Sequence, residues 1–420
     1  MKKNVFVTSI GCRLNQFEID IIRTELVKYG LLSNNHIPPD ICIINTCTVT
    51  QKADSKSRAI VRKIIKQNPN SYIVVTGCYA HTNPEVFKKI RGVDLIVNNN
   101  EKMRLPEILK EKGIINIKSQ KASTSIYITD RTRPYIKVQD GCNLNCSYCK
   151  VRTARGKSRS ENFEKIINTA QLLANENYPE IVITGVNIGD YKWNGKDLAD
   201  LLSELTKIKN LKRIRLTSIE PTDINEKLLK AIQNDKICSY FHIPLQSGSD
   251  KILKLMNRPY TREVFAEKIM QIRKNKSNTV IGTDVIVGFP GETDEDFNET
   301  LSLLKKLDIF YLHIFRYSKR EGTPASNFKN EVQEEIKTQR AEILRKYRKQ
   351  SKDKFFKSII GKEFNVIIEH KIIKEKYINS ISDNYIPILL PLSEAFSLQR
   401  NIVRVKIIRY DKEYLYGKIL

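Results

Sequence analysis

The chain has 420 residues, of which 28% are charged, and a formal net charge of +25 at pH 7. This length predicts two or three domains. The positive charge favours a polyanionic partner such as a nucleic acid, although a compositionally biased genome also enriches surfaces in lysine. No stretch approaches the roughly 18 apolar residues of a membrane span, and the early polar residues of the N-terminus argue against a secretory signal. We therefore expect a cytoplasmic protein without a membrane segment.

The first part of the chain alternates predicted strands and helices. The strands are short apolar runs at 5–8, 41–44, 72–75 and 94–97. The helices are expected at 15–29, at 55–66 and in a short segment after Pro84. This alternation with continuous apolar strands predicts a doubly wound parallel sheet.

One cysteine follows each of the first three strands, at Cys12, Cys47 and Cys78. Because parallel strands all end at one edge of the sheet, these thiolates could converge on one metal cluster. Gly11 and Gly77 would let the backbone approach a bulky ligand. Cys42 lies inside a strand and is interpreted as a small core residue. Incidental cysteines on a scaffold remain the alternative.

A polar connector over 112–132, with a short strand at 114–117, leads to a strand at 135–138 and then to Cys142, Cys146 and Cys149. Thiolates suit iron–sulfur clusters and zinc. A structural zinc site needs four protein ligands, and the next histidine downstream is His242. Three ligands on a four-iron cluster would leave one iron open. Reduced structural cysteines or half of a zinc site are the alternatives.

A second strand–helix series begins near Arg133. We expect strands at 135–138, 180–184, 213–216, 241–244, 279–287 and 310–315, with helices at 163–175, 198–207, 262–274 and 294–307. Such units predict a partial (β/α) barrel of about six units with its chemistry at the carboxyl ends of the strands. Polar, glycine-rich loops follow four of these strands, at 184–187, 217–221, 244–249 and 288–293. Ordinary helix capping is the simpler explanation for each loop by itself.

The end of the chain has a different pattern. A long helix over 331–357 contains many basic residues, including Arg340, Arg345, Lys346 and Lys349. A charged helix is often only a solvated face, but this imbalance is typical of a surface that follows phosphates. Alternating stretches at 363–369, 385–390, 402–410 and 414–419 predict a small C-terminal β-barrel.

Together these motifs resemble a known family. Cys-x3-Cys-x2-Cys with Tyr148 before the last cysteine is similar to radical S-adenosylmethionine enzymes. The N-terminal cysteine triad and the closing β-barrel resemble the methylthiotransferase family over essentially the whole chain. Three segments resemble the branch that methylthiolates threonylcarbamoyladenosine in tRNA beside the anticodon: 184–189, 216–221 and 317–324.

The resemblance implies three domains: an N-terminal methylthiotransferase domain at 1–115, a radical S-adenosylmethionine partial barrel at 128–357 and a TRAM-like RNA-binding domain at 358–420. The implied cofactors are two [4Fe–4S] clusters and S-adenosylmethionine. Cys142, Cys146 and Cys149 would hold the radical cluster, and Cys12, Cys47 and Cys78 an auxiliary cluster that handles sulfur. Contacts to S-adenosylmethionine are expected from one residue of the motif and four at strand ends: Tyr148, Gly185, Ser218, Glu220 and Gln246.

The family chemistry implies two stages, methyl transfer to sulfur at the auxiliary cluster and then radical hydrogen abstraction from the adenine ring. An electron donor such as a flavodoxin or ferredoxin would be required, and we expect a monomer that acts on tRNA. The segment Lys150–Thr153 departs from the usual apolar residues and proline. Nearby Arg152, Arg155, Lys157 and Arg159 form a basic strip that would meet tRNA phosphates or only coat the surface. Isopentenyl-adenosine tRNA, a ribosomal-protein aspartate, and an RNA-binding protein with structural clusters remain alternatives.

Overall fold

The computed structural model describes residues 3–34, 36–115 and 129–420. They form two compact units. The first contains the chain up to Asp130 together with the segments Asp140–Asn143 and Cys149–Arg159. The second contains Arg131–Gln139, Leu144–Tyr148 and Ser160–Leu420.

The first unit is built on a four-stranded parallel sheet in which neighbouring strands follow the order of the sequence. Its strands are β1 (Val5–Ser9), β2 (Ile41–Thr46), β3 (Tyr72–Gly77) and β4 (Leu95–Ile96). Its helices are α1 (Arg13–Lys28), α2 (Gln51–Gln67), α3 (Cys78–Thr82), α4 (Pro84–Lys88), α5 (Leu105–Glu111) and α6 (Val151–Arg155).

Both faces of this sheet are covered by helices, because its strands carry apolar side chains on both sides. Ile41 and Ile43 pack with α1 and α5 on one face, whereas Cys42 and Ile44 pack with α2 and α4 on the other. The predicted doubly wound sheet is confirmed. Cys42 is fully buried in this core.

Two local predictions need adjustment. Helix α2 begins four residues earlier than expected, because the side chain of Thr50 accepts a hydrogen bond from the Ala53 amide and caps the helix. The predicted strand at 114–117 is absent from its described residues, 114 and 115, and its remainder lies outside the described residues.

The second unit contains six parallel strands arranged in chain order in two three-stranded sheets. They are β5 (Tyr135–Lys137), β8 (Glu180–Thr184), β11 (Arg213–Leu216), β12 (Tyr240–His242), β13 (Val280–Val287) and β14 (Tyr311–Arg316). A short pair in this unit is β9 (Lys192–Trp193) with β10 (Lys196–Asp197), and β6 (Gln139–Asp140) pairs with β7 (Arg159–Ser160), each of these two strands having one residue in either unit. Bridges from Ile214 to Ile237 and from Ser218 to His242 join the two sheets. The predicted partial barrel of about six units is confirmed.

The helices of this unit follow the strands in turn. They are α7 (Phe163–Asn175), α8 (Leu198–Leu205), α9 (Glu226–Ala231), α10 (Asp250–Leu255), α11 (Arg262–Asn275), α12 (Asp294–Lys306) and α13 (Glu334–Ser358). Capping boxes at Asp197 and Thr293 begin α8 and α12 at the predicted residues. No helix in the described ranges is long and apolar enough to cross a membrane.

The chain closes with a five-stranded barrel in the order β15-β16-β17-β19-β18. Its elements are β15 (Glu363–Ile373), β16 (Tyr377–Ser382), β17 (Pro387–Pro391), α14 (Leu392–Ala395), β18 (Ile402–Tyr410) and β19 (Leu415–Ile419). The small β-barrel was predicted, but β16 was missed because Ser380 and Ser382 on it are polar and nevertheless buried. The Ser380 hydroxyl donates to the Ile388 carbonyl, which satisfies it inside the barrel.

The C-terminal barrel contacts the amino-terminal ends of the partial-barrel strands through charged groups. Arg215 is fully buried and donates to Glu180 at 2.7 Å and to the carbonyls of Ser382 and Asp383. The ring of Tyr385, in the turn between β16 and β17, stacks on Tyr240 at 4.7 Å. The predicted strand at 385–390 begins only at Pro387, because Tyr385 has a φ of +68° and turns into this contact.

Candidate functional site in two parts

The three cysteines that follow β1, β2 and β3 lie close together in the first unit. The amide oxygen of Asn15 is 3.7 Å from the Cys12 sulfur and 4.0 Å from the Cys78 sulfur. A side chain at Gly11 would overlap the sulfur of Cys47. Gly11 therefore permits close approach to a cysteine of the triad, rather than to a ligand as we had expected.

A buried network of ionic and amide groups surrounds these thiols. Glu18 accepts from Arg155 at 2.9 Å and from Lys102 at 2.5 Å, and all three side chains are buried. Arg155 also donates to the Asn15 oxygen at 2.6 Å, and Lys102 donates to Asn99 at 2.8 Å. The Asn99 amide in turn donates to the Cys78 sulfur at 3.4 Å. Arg155 also pairs with Asp140 at 3.0 Å, so two cations and two carboxylates lie around the three thiols.

The surroundings of Cys12 and Cys47 favour the protonated thiol, because burial raises the pKa of each. Burial raises the pKa of Cys47 to about 12, and the neighbouring Cys12 adds to this rise. A buried thiol of this kind gives up its proton when a metal takes the proton's place. Free cysteines with convergent sulfurs are thus suited to a soft metal or an iron–sulfur cluster.

The other cysteine motif is divided between the two units. Cys142 and Cys149 belong to the first unit and Cys146 to the second. Within the second unit, the guanidinium of Arg258 donates to the Cys146 sulfur at 3.0 Å and forms an ion pair with Glu220. The sequence analysis did not predict Arg258 as a site residue. Its side chain is mostly buried, and its charge is compensated by Glu220, which only folding brings next to it.

Four of the expected S-adenosylmethionine contacts lie at the predicted strand ends, and the fifth, Tyr148, lies in the cysteine motif. Glu220 is buried; its desolvation raises its pKa, and the Arg258 guanidinium opposes that rise. Gln246 is buried with a φ of +65° and pairs through its backbone with β13. Gly185 lies against Gln139, where a side chain would be crowded. Tyr148 packs edge-on against Phe289 with ring centroids 6.3 Å apart.

Ser218 begins a hydrogen-bonded chain that sequence reasoning missed. Its hydroxyl is 2.9 Å from His242 Nδ1, and His242 Nε2 is 3.1 Å from Asp284 Oδ1. His313 Nδ1 is 3.0 Å from the same Asp284 oxygen. Burial alone would raise the pKa of Asp284, but the two imidazoles lower it below its usual range. The sequence contained one indication of this network, because His313 is a single histidine between apolar residues of a predicted strand.

Two arginines assigned to exposed basic surfaces are buried, so those assignments are wrong. Arg155, from the basic strip after the cysteine motif, is 5% exposed and pairs with Glu18 and Asp140. Arg340, from the basic helix, is 4% exposed and pairs with Glu292 at 2.6 Å. In both cases a carboxylate distant in sequence offsets the cost of burying the guanidinium.

Known proteins resemble the chain over most of its length. Residues 136–304 match the radical SAM superfamily, and residues 4–98 match an uncharacterized protein family, UPF0004. A threonylcarbamoyladenosine tRNA methylthiotransferase of Aquifex aeolicus is 39% identical over 90% of this chain and 96% of its own. The corresponding protein of Bacillus subtilis is 36% identical over 98% and 95%. The chain belongs to the radical S-adenosylmethionine tRNA methylthiotransferases.

This methylthiotransferase is therefore an enzyme, as expected, and its cofactors are [4Fe–4S] clusters and S-adenosylmethionine. A tRNA-2-methylthio-N(6)-dimethylallyladenosine synthase of Ehrlichia canis is also 35% identical over 90% of both chains. The radical S-adenosylmethionine methyltransferase TsrM of Kitasatospora setae shares the fold, with a TM-score of 0.60 and 14% identity over 78% of this chain and 77% of that one.

The residues of the first unit suit an anionic cluster. A [4Fe–4S] cluster with three thiolates carries negative charge, and the cations Arg155 and Lys102 lie beside these thiols, where they pair with Glu18 and Asp140. Asn99 already donates an N–H to a cysteine sulfur, the type of contact that tunes such clusters.

Proposed function

We propose that this methylthiotransferase acts on threonylcarbamoyladenosine beside the anticodon of tRNA. The observation that carries the proposal is the 39% identity, over 90% of the chain, to a relative named for that substrate. The relative named for dimethylallyladenosine has 35% identity over the same share.

Within this proposal, Cys142, Cys146 and Cys149 hold a radical cluster, and Cys12, Cys47 and Cys78 hold an auxiliary cluster. When bound, the clusters and S-adenosylmethionine supply reductive cleavage of a sulfonium and a transferable methylthio group. The functional regions are residues 1–115, 128–357 and 358–420.

The chain's own residues have positioning roles. The guanidinium of Arg258 bonds to both the Cys146 sulfur and the Glu220 carboxylate. It thereby fixes the position of a cysteine ligand relative to the residue at a strand end. Tyr148, Gly185, Ser218, Glu220 and Gln246 contact S-adenosylmethionine. Arg155 orients Asn15 beside Cys12 and Cys78.

The substrate is tested by mass spectrometry of tRNA nucleosides from cells that lack this chain. We expect the methylthio form of threonylcarbamoyladenosine to disappear and the unmethylthiolated nucleoside to accumulate. Complementation with the wild-type chain should restore the product. Loss of methylthio-dimethylallyladenosine instead, or loss of a methylthiolated ribosomal-protein aspartate with unchanged tRNA, would contradict the proposal.

Phosphate binding is proposed for the exposed face of α13 and the C-terminal barrel. Arg345, Lys346, Lys349 and Lys354 are exposed on this helix, whereas Arg340 is not. Electrons are proposed to come from a flavodoxin or ferredoxin, and the enzyme is proposed to act as a monomer.

We predict that RNA affinity falls steeply with salt and depends on this helix face. Replacing Lys346 and Lys349 by glutamine should lower the slope of log affinity against log salt by about 1–2, because each lost phosphate contact removes about 0.7–0.9. Binding of a tRNA transcript at several salt concentrations measures the slope.

The matched control removes two exposed lysines elsewhere, Lys207 and Lys209. An equal change in the control would assign the effect to net charge rather than to α13. Deletion of the C-terminal barrel is unsuitable, because Arg213 and Arg215 donate to its carbonyl groups and would lose these partners.

A further inference from the structure

The chain formed by Ser218, His242, Asp284 and His313 ends in an unused hydrogen-bonding atom. His313 Nδ1 bonds to Asp284, but among the residues that the structure describes, none forms a hydrogen bond with His313 Nε2. The His313 side chain is 49% exposed. None of the residue roles proposed for the enzyme uses His313 Nε2.

The network fixes which nitrogen of His313 carries the proton. The Asp284 carboxylate can only accept, so the nitrogens that face it, His242 Nε2 and His313 Nδ1, must donate. In the neutral imidazole of His242, Nδ1 then accepts from the Ser218 hydroxyl. In the neutral imidazole of His313, Nε2 is consequently an acceptor with a free lone pair.

An aromatic ring lies on the same side of β14. In the parallel register Asp284 pairs with His313 and Ile286 pairs with Phe315, so His313 and Phe315 are on the face that carries Asp284. Phe315 is 36% exposed and is the one exposed large apolar side chain on the six described strands of the partial barrel. A ring for stacking next to a hydrogen-bonding group is a common arrangement for recognising an unstacked base.

Helix α13 contacts β14 through other groups than these two side chains. Arg348 donates to the Leu312 carbonyl, and the Arg316 side chain donates to Thr338. Arg316 alternates with Phe315 along β14, so its side chain lies on the face opposite to His313 and Phe315. The face that carries His313 and Phe315 is therefore not the one that Arg316 directs toward α13.

We propose that His313 and Phe315 form the subsite for the target nucleoside. This proposal rests on the proposed function. Phe315 stacks on the adenine, and His313 Nε2 accepts a hydrogen bond from an N–H or O–H of the N6 substituent. A threonylcarbamoyl group offers carbamoyl N–H and threonyl O–H donors. A dimethylallyl group has only hydrocarbon beyond N6, so the subsite favours the threonylcarbamoyl form.

The experiment measures binding of synthetic anticodon stem–loops to the cluster-loaded full chain. The stem–loops carry adenosine, threonylcarbamoyladenosine or dimethylallyladenosine at the target position. His313→Leu should weaken binding of the threonylcarbamoyl stem–loop by about 3- to 10-fold and leave the unmodified one unchanged, because one hydrogen bond is lost. Phe315→Leu should weaken both by about 10-fold.

His36→Leu is the matched control, since His36 is exposed in a loop of the first unit. Nitrogen-15 NMR of the five histidines supplies a readout independent of activity and of the folding of variants. In the wild-type chain His313 should be protonated at Nδ1, and its Nε2 resonance should move when the threonylcarbamoyl stem–loop binds. Asp284→Asn should change this tautomer.

Three results would overturn the subsite. The first is protonation of His313 at Nε2 in the wild-type chain, and the second is equal affinity of wild type and His313→Leu for the threonylcarbamoyl stem–loop. The third is a His313→Leu variant that binds only S-adenosylmethionine more weakly. If the wild type binds stoichiometric zinc and Asp284→Asn does not, the side chains of His242, Asp284 and His313 form a metal site instead. If the enzyme makes methylthiolated threonylcarbamoyladenosine in cells but His313→Leu does not change stem–loop binding, the subsite is wrong and the proposed function stands.

Discussion

Replacing Cys47 by alanine should abolish methylthio transfer while sparing part of the reductive cleavage of S-adenosylmethionine. Cys47 converges with Cys12 and Cys78 in the first unit. Cys146→Ala should abolish the cleavage itself, because Cys146 belongs to the other motif and is held by Arg258. Deoxyadenosine and methylthio-nucleoside assayed side by side separate the two outcomes.

Iron content provides the second measurement for these variants. Two four-iron clusters require about eight iron atoms per chain, and loss of one cluster should leave about four. Cys42→Ala and Cys238→Ala are matched controls, since both cysteines are buried outside the two triads and should leave iron unchanged. A folded Cys47→Ala enzyme that still makes product at the normal rate would refute the assignment of the N-terminal triad.

Replacing Arg215 by leucine should lower the free energy of unfolding by about 3–5 kcal/mol, because it leaves Glu180 incompletely paired and two carbonyls without their donor. Both side chains are fully buried, and Arg215 bonds to Glu180 at 2.7 Å. Urea denaturation of the wild type and the variant measures the loss. Lys227→Ala removes an exposed ion pair with Asp197 and Asp200 and should leave stability unchanged.

The same pair predicts the direction of the pH dependence. Burial alone would raise the pKa of Glu180, but Arg215, Arg133 and Arg213 lower it below 4.5. A depressed carboxyl pKa stabilises the fold above the unfolded-state pKa, and this contribution is lost as the pH falls through the folded-state value. The difference in stability between wild type and Arg215→Leu should therefore shrink below about pH 4. A difference that grows on acidification would contradict this account.

The sequence by itself determined the secondary structure that positions the chemistry. Strands β8 and β11 and helix α7 have their predicted bounds, because apolar runs of four or five residues and a capped amphipathic helix are local patterns. The cysteines at the ends of β1, β2 and β3 were predicted to converge for a similarly simple reason: parallel strands end at one edge. The C-terminal β-barrel was foreseen from alternation, except for its serine-rich strand β16.

Only the tertiary structure decided which charged groups are buried and what they bond. Arg155, Arg215 and Arg340 look like surface residues in the sequence, since each pairs with a carboxylate that is far away in the chain: Glu18 at 137 positions, Glu180 at 35 and Glu292 at 48. The network of His242, Asp284 and His313 likewise joins three separate strands. Local periodicity determines which face a side chain occupies, but the partner of a buried charge depends on long-range register, which no local pattern contains.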